Sequence, residues 1–488
     1  MEINRVSPER VANEHYELII IGSGFGSTFF LNEAVKHLSG RALVIEWGDH
    51  YPWATQVRER RNSDIPHAST YENLGDKPWN MTIALGGGMN CWFSQALRLH
   101  PKDFHMKTLY GVSNDWPVDY EALEPYYCQA ETIMSISGDP AMASILPRSM
   151  PFPQPPHKGT TVDEMMKAIM PDRHFIVPTG RASVANDQRG VCCANATCYQ
   201  CPVNAKFTAE NGFPTLFAHP KVDVCVRSEV KSLDYQGDTI TAAVFESNGR
   251  QYKVHGDMFV LGANAIQAPA ILLRSDIVYG ETALNLHEQI GADVEVYLDN
   301  LASMNGSTIS TGLNYHFYDG DFRSERSASI VTFENRWPHG LRPEPDKWHH
   351  LLPLSIVSED LPSLNNRVTV DPGSGQAVVH HAGPSEYGRK GLDYVIDNLD
   401  ELLAGIPVES VHFRRWRATE SHLQGTLRMG VNGDGSVIGH SLLHHQKRNL
   451  VVVGSASFPT CSPSNPSLTV AALSIRAAEL LYGKGALA

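Results

Sequence analysis

The stretch Tyr16-Glu-Leu-Ile-Ile-Ile-Gly-Ser-Gly-Phe-Gly-Ser27, followed by Leu43-Val-Ile-Glu46, sets the reading of this chain. An apolar run, a glycine turn, a helix and a second apolar run ending in an acid together build a dinucleotide site. Gly22 permits the tight turn after the strand, and Gly24 lets the backbone approach a pyrophosphate. A helix expected to begin near Ser27 offers free N–H groups and the positive end of its dipole to phosphates. Glu46 lies 24 residues beyond Gly22, near the spacing at which an acid accepts hydrogen bonds from a ribose. The third small position is Ser27 in place of glycine, so a hydroxymethyl group must fit where the helix packs on the strand.

The rest of the chain repeats this alternation at intervals. Ala84-Leu-Gly-Gly-Gly-Met-Asn-Cys-Trp92 is a second glycine loop after an apolar stub. Pro117 and Asp119 introduce a helical pattern that runs to Ile133. Residues 137–160 carry many prolines and read as loop. Residues 222–262 alternate like strands, and Gly262-Ala leads into the helix Ala265-Ile-Gln-Ala-Pro-Ala-Ile-Leu-Leu-Arg. Residues 286–412 hold alternating stretches, such as Ala292-Asp-Val-Glu-Val-Tyr, Ile330-Val-Thr-Phe and Arg367-Val-Thr-Val. These predict a largely antiparallel sheet. Asn449-Leu-Val-Val-Val-Gly454 and the apolar pattern of 468–481 predict a buried strand and a long helix. The fold class is therefore α/β: a Rossmann-like domain assembled from separated segments, with an inserted α+β domain.

The bulk numbers narrow the function classes. The 488 residues carry a formal charge of −13, and no Lys/Arg-rich run stands out, so nucleic acid is not an expected partner. No apolar run reaches the roughly 18 residues that span a bilayer, so no direct membrane insertion is expected. The first ten residues are polar and lack the apolar core of a secretion signal. A cytoplasmic location is the expectation, with export beside a signal-bearing partner left open.

Six ordered segments resemble the glucose–methanol–choline (GMC) type of flavin oxidoreductase over nearly the whole chain. They are the Gly22–Glu46 unit, Gly86-Gly-Gly-Met-Asn-Cys-Trp92, Asp115-Trp-Pro…Tyr126, Gly262-Ala…Leu272-Leu-Arg-Ser, His422-Leu-Gln-Gly-Thr-Leu-Arg-Met-Gly430, and Gly454-Ser-Ala-Ser-Phe-Pro-Thr460 with Asn465-Pro-Ser-Leu-Thr469. Bacterial sugar and glycoside dehydrogenases and pyranose-type oxidases are the nearest in style. The resemblance implies FAD in an elongated site and hydride transfer from an alcohol carbon to flavin N5. It implies an FAD-binding domain from 1–105, 190–285 and 413–488, and a substrate-binding domain from 106–189 and 286–412. The implied cofactor residues are Gly22, Gly24, Phe25, Gly26, Glu46, Trp47, Gly86, Gly87, Gly88, Asn90, Cys91, Val230, Ala263, Gly454, Ser455, Ala456, Pro466, Leu468 and Thr469. Some relatives attach FAD covalently through a histidine just before the tryptophan of the glycine loop. Here that residue is Cys91, so a histidyl link is excluded; a thioether link is the alternative, and noncovalent FAD is expected.

The resemblance also places the acid–base chemistry. His422 occupies the histidine of the H-x-x-G-T-x-x-M-G pattern, and imidazole can accept the hydroxyl proton near working pH. Asn465 stands where the family has His or Asn. It cannot take a proton, but it can orient the hydroxyl or stabilise growing alkoxide charge. His440, His444 and His445 are read as surface residues. The expected reaction is oxidation of an alcohol on a sugar, glycoside or polyol, with dehydrogenase action favoured over oxidase. The alternatives are an oxidase using oxygen on a non-sugar alcohol, a lyase in which FAD is only structural, and a nicotinamide dehydrogenase using the Gly22 fold.

Four of the eight cysteines fall within ten residues, in Cys192-Cys-Ala-Asn-Ala-Thr-Cys198-Tyr-Gln-Cys201. Such clustering fits soft iron–sulfur ligation. It resembles the cysteine segment of bacterial sugar dehydrogenases, though the last interval is one residue shorter. Cys192, Cys193, Cys198 and Cys201 are thus candidates for a cluster, which implies a small subunit and a cytochrome as electron acceptor. A cysteine-rich structural turn, a zinc site and a disulfide are the other readings.

Overall fold

The apolar run that opens the chain forms the strand His15–Ile21 in a computed structural model that describes residues 1–336 and 347–483. It lies between Ala42–Ile45 and Arg250–Leu261, parallel to both. Val222–Cys225 extends this array on one side and Leu450–Val452 on the other, again in parallel. Leu18, Ile19, Leu43, Val44, Val224, Val260 and Val451 are fully buried, as strands covered on both faces must be. The first half of Arg250–Leu261 instead pairs antiparallel with Thr239–Ser247, which pairs with Glu229–Gln236. Because five strands share one direction, their carboxyl ends bring Gly22, Glu46, Gly262 and Gly454 to a single edge, where open α/β sheets bind ligands.

The helix after the glycine turn runs Phe25–Ala34, starting two residues earlier than expected, because extended backbone at Gly24 already closes the turn and serves as its N-cap. Ser27 lies inside the first turn and is buried. The room for its hydroxymethyl comes from the neighbouring strand end: a Cβ at Gly262 would collide with Ser27 Oγ. Helix Ser467–Tyr482 packs on Phe25–Ala34 and on Tyr120–Met134. Asp119 caps the last of these through Ala122 N at 2.8 Å, as the sequence predicts.

A second, six-stranded sheet has the order Val408–Arg417, Ile290–Leu298, Leu351–Ser358, Ser329–Glu334, Ser310–Asn314, His174–Ile176, with every neighbour antiparallel. Its strands alternate. Val294, Val296, Val331, Phe333, Leu354 and Ile356 form one face, which packs with Val162 and Met166 of helix Thr161–Ile169 and Leu392 and Val395 of helix Glu386–Asp397. Two expectations need correction. Arg367–Val370 does not join this sheet; it pairs with Ala377–His380, which pairs in parallel with Tyr71–Asn73, as a separate three-stranded sheet. The strand Val408–Arg417 also runs through the division placed at 412/413, because its pairing with Ile290–Leu298 continues to Arg417↔Gly291. Residues 337–346 and 484–488, which fall in the two ranges assigned from sequence, lie outside the described residues.

Candidate active site

A cleft of about 730 Å³ separates the carboxyl edge of the parallel strands from the polar face of the antiparallel sheet. Its cofactor-like end is built from glycine. Gly22 has φ +80°, and a Cβ there would press on Gly262 O at 2.8 Å, so the turn demands glycine on both counts. Gly24, Gly88 and Gly454 line the cleft, and a Cβ on any of them would meet no atom within 4 Å. At Gly24 and Gly88 a side chain would enter the cleft without disturbing the fold, while Gly454, at φ +96°, needs glycine for its backbone too; together they have the shape of a cradle for a ligand that approaches backbone. No side chain caps the helix that starts at Phe25, so its N-terminal dipole faces this space. The glycine loops support each other: Gly86 N donates to Ser23 Oγ at 3.0 Å, and Gly87 lies against Gly24.

Of the cofactor residues expected from sequence, Gly22, Gly24, Phe25, Gly26, Glu46, Trp47, Gly87, Gly88, Cys91, Val230, Ala263, Gly454, Ser455 and Pro466 line the cleft. Gly86, Asn90, Ala456, Leu468 and Thr469 are not among its lining residues. Asn90 Nδ2 donates to Leu85 O, Leu427 N donates to Ala456 O, and the Thr469 and Tyr127 hydroxyls bond at 2.8 Å, so these residues brace the wall from behind. Glu46 is buried on the wall. One oxygen accepts from Ser23 N (3.0 Å) and Ser23 Oγ (2.6 Å), the other from Gly48 N (2.9 Å). Burial pushes its carboxyl up, against these hydrogen bonds. Cys91 Sγ accepts from Thr82 Oγ1 at 2.9 Å. These features fit FAD: an acid and backbone amides for ribose and pyrophosphate, and an open, glycine-walled path between them.

His422 and Asn465 meet on the same cleft, with His422 Nε2 and Asn465 Nδ2 3.5 Å apart. His422 N donates to the buried carboxylate of Glu288 at 3.0 Å, and Glu420 N donates to its other oxygen at 3.2 Å. Lys77 pairs with that carboxylate. His422 Nδ1 bonds Gln289 Oε1 at 3.1 Å. The motif glycine, Gly425, has φ +92°, and a Cβ there would collide with the buried His287 ring. Beyond it, Gly425, Leu427 and Met429 donate to Ser455, Ala456 and Ser457, which ties the histidine segment to the loop after Leu450–Val452. Desolvation, with the Arg417 guanidinium nearby, lowers the His422 pKa to about 4. The imidazole is therefore a neutral base at ordinary pH.

The other wall is a cross-strand polar row. Thr332 pairs with Ser355, Ser355 with Asp293, and Asp293 with Arg415, all on the cleft side of the antiparallel sheet. Asp293 accepts from Arg415 Nε (2.7 Å) and Arg417 Nη1 (2.8 Å), and Glu334 accepts from Ser310 Oγ (3.0 Å). Sequence reading missed these residues, along with Glu288 and Gln289. Their polar–apolar alternation was visible, but which face meets the cleft is decided by pairings between distant segments.

The four clustered cysteines are spread along one segment of the structure. Among the described residues, no three His, Cys, Asp or Glu side chains are gathered as a metal site. Cys192 Sγ is 3.4 Å from Thr308 Oγ1, Cys193 is exposed, Cys198 is buried, and Cys201 Sγ accepts from Ala205 N, all as free thiols. The segment serves as a turn that braces the glycine loop. Trp53 Nε1 donates to Cys201 O (2.8 Å), Lys206 Nζ to Asn90 O (2.9 Å) and Trp92 Nε1 to Phe207 O (2.8 Å). Burial pushes the Lys206 ammonium down to about 8. The three tail histidines are also not alike. His440 is exposed, His445 half-buried and His444 buried, with its Nδ1 accepting from Gln446 N and Lys447 N.

Residues 407–474 match the family described as GMC oxidoreductase. The fructose dehydrogenase large subunit of Gluconobacter japonicus is 25% identical over 443 residues, covering 81% of this chain and 80% of that protein. Paromamine 6'-oxidase of Streptomyces fradiae is 26% identical, over 96% of this chain and 91% of its own. Among solved structures, pyridoxine 4-oxidase from Mesorbium loti has the same fold, with a TM-score of 0.67 at 15% identity, over 95% of this chain and 98% of its own.

Proposed function

We propose that this chain, a GMC oxidoreductase, oxidises an alcohol group on a sugar, glycoside or polyol with noncovalently held FAD. The observation that carries the reading is the meeting of His422 and Asn465 on the wall of the glycine-cradled cleft. Relatives named for fructose, hydroxyparomomycin, paromamine and 2-methyl-1,2-propanediol act on hydroxyl-bearing compounds, which supports the substrate class. Gly22, Gly24, Glu46, Gly87, Gly88, Val230, Ala263 and Gly454 would hold the cofactor. Bound there, FAD supplies an acceptor for the hydride that leaves the alcohol carbon.

The protein's own part is proton management and positioning. His422 Nε2 takes the hydroxyl proton as the carbon loses hydride, so the C–O bond becomes a carbonyl and charge balances. Asn465 Nδ2 donates to the oxygen as its negative charge grows. The row Thr332, Ser355, Asp293 and Arg415 offers hydroxyls and a compensated ion pair to further hydroxyl groups of the substrate. Ion pairs that cancel one another suit a neutral polyol. The electrons then pass from the reduced flavin to an acceptor, for which oxygen or a quinone is the reading adopted here.

Two expected results test this reading. In anaerobic stopped-flow mixing, sugars and polyols reduce the flavin faster than simple aliphatic alcohols. Equal rates across the panel would remove the polyol assignment. The pH dependence follows from the His422 pKa. Its folded-state value is lowered, so the neutral base is present above about pH 4 and lost as pH falls through that value. The kcat/KM profile is therefore flat near neutrality, with its acid limb well below the 6.5 of a free imidazole. An acid limb at 6 or higher contradicts the assigned environment.

A further inference from the structure

The buried side chain of Gln289 touches both segments of the proposed acid–base pair. It lies one residue before the strand Ile290–Leu298 and is 1% exposed. Its Nε2 bonds Ser462 O at 2.8 Å and Ser464 O at 3.0 Å. Both partners are backbone carbonyls, which can only accept, so the amide NH₂ must face them. This orients Oε1 the other way, toward His422 Nδ1 at 3.1 Å and Gln424 Nε2 at 3.4 Å. An amide oxygen can only accept. A hydrogen bond from His422 therefore requires the proton on Nδ1, which leaves the lone pair on Nε2.

We propose that Gln289 is the positioning residue of the reaction: its fixed amide selects the Nδ1–H tautomer of His422 and so aims the basic Nε2 at the cleft. This rests on the proposed role of His422. The same amide holds the Ser462–Ser464 turn immediately before Asn465, so one side chain sets the spacing of the base and its amide partner. The Asn465 Nδ2 group at 3.5 Å from His422 Nε2 is consistent with this, since an N–H beside a lone pair is attractive and an N–H beside an N–H is not. No other tautomer-setting acceptor is needed at Nδ1.

The choice of an amide over a carboxylate has a consequence. The charged groups around His422 are Arg417, paired with Glu420 and Asp293, and Glu288, paired with Lys77. A carboxylate at position 289 would add an unpaired negative charge against Nδ1–H and favour imidazolium. Gln289 fixes the tautomer without that penalty and keeps the base neutral at low pH.

The test uses holoenzyme with Gln289→Met, Gln289→Glu and His422→Ala, read by flavin content, anaerobic flavin reduction and the pH profile of kcat/KM. Gln289→Met removes both bonding functions in similar volume, and the reduction rate is expected to fall about 10–100-fold with flavin still bound. Gln289→Glu restores the acceptor at Nδ1. It is expected to recover part of the rate lost in Gln289→Met and to move the acid limb up by about one pH unit or more. If Gln289→Met does not retain flavin, the Gln289→Glu limb decides alone. An unmoved limb in Gln289→Glu, or a wild-type rate in Gln289→Met, overturns the inference. If His422→Ala collapses the rate while either of those results holds, only the Gln289 role fails. If His422→Ala reduces flavin normally, the reading of the whole site fails.

Discussion

Replacing His422 with alanine lowers the rate of flavin reduction by about 10²–10⁴-fold while FAD stays bound. The size follows from losing a general base that acts in the step where the hydroxyl proton and the hydride leave together. Retention of FAD follows from position. His422 is held by Glu288 and Gln289, neither of which belongs to the glycine cradle formed by Gly24, Gly88 and Gly454. Its loss opens space on the cleft wall and leaves the parallel-strand edge intact. Flavin absorbance per protein, followed by anaerobic mixing with a reactive polyol, measures the two effects separately. A variant that keeps both flavin and rate removes the imidazole from the mechanism. A variant that loses flavin places His422 in cofactor binding instead.

Gly24→Asp is expected to separate folding from cofactor binding by the widest margin. Gly24 is the N-cap of Phe25–Ala34, its backbone is extended (φ −69°), and a Cβ there meets open space. Aspartate is a preferred N-cap, worth about 0.5–2 kcal/mol over residues without a capping group and a few tenths over glycine. Stability of the apoprotein is therefore unchanged or slightly raised. The same carboxylate enters the cradle proposed for a pyrophosphate, where unpaired like charge costs several kcal/mol, which weakens FAD binding by about 10²-fold or more. The expected preparation is folded and nearly colourless. A yellow variant with unaltered FAD affinity would show that the phosphates lie elsewhere.

Much of the cofactor half was legible because its signals are local. The run at 16–21 and the run at 43–45 read as buried strands since both faces are covered in the structure. The helix after the glycine turn starts two residues before Ser27, whose accommodation depends on Gly262, just past the end of a strand more than 200 residues away. The same non-local logic hid the substrate wall. Asp293, Thr332, Ser355 and Arg415 come from four strands, and only their register aligns them. Gln289 and Glu288 look like ordinary polar residues before a strand; they matter through partners more than 130 residues onward. His444 reads as a surface residue because it falls in a loop between the two tail motifs, yet it is buried, with its Nδ1 accepting from the backbone amides of Gln446 and Lys447. The cysteine segment also has a role that its spacing does not announce. Spacing allows ligation, but the turn that carries Cys198 and Cys201 is committed to holding Trp53, Asn90 and Trp92.

The most direct measurement is an anaerobic titration of the purified, flavin-loaded protein with a panel of sugars, glycosides and polyols, following the visible flavin band. The account predicts that at least one of them bleaches the band fully, that admitting oxygen or adding a quinone restores it, and that His422→Ala slows the bleaching by orders of magnitude. A bound flavin that dithionite bleaches but no carbinol does would contradict it, as would a folded protein that takes up no flavin at all.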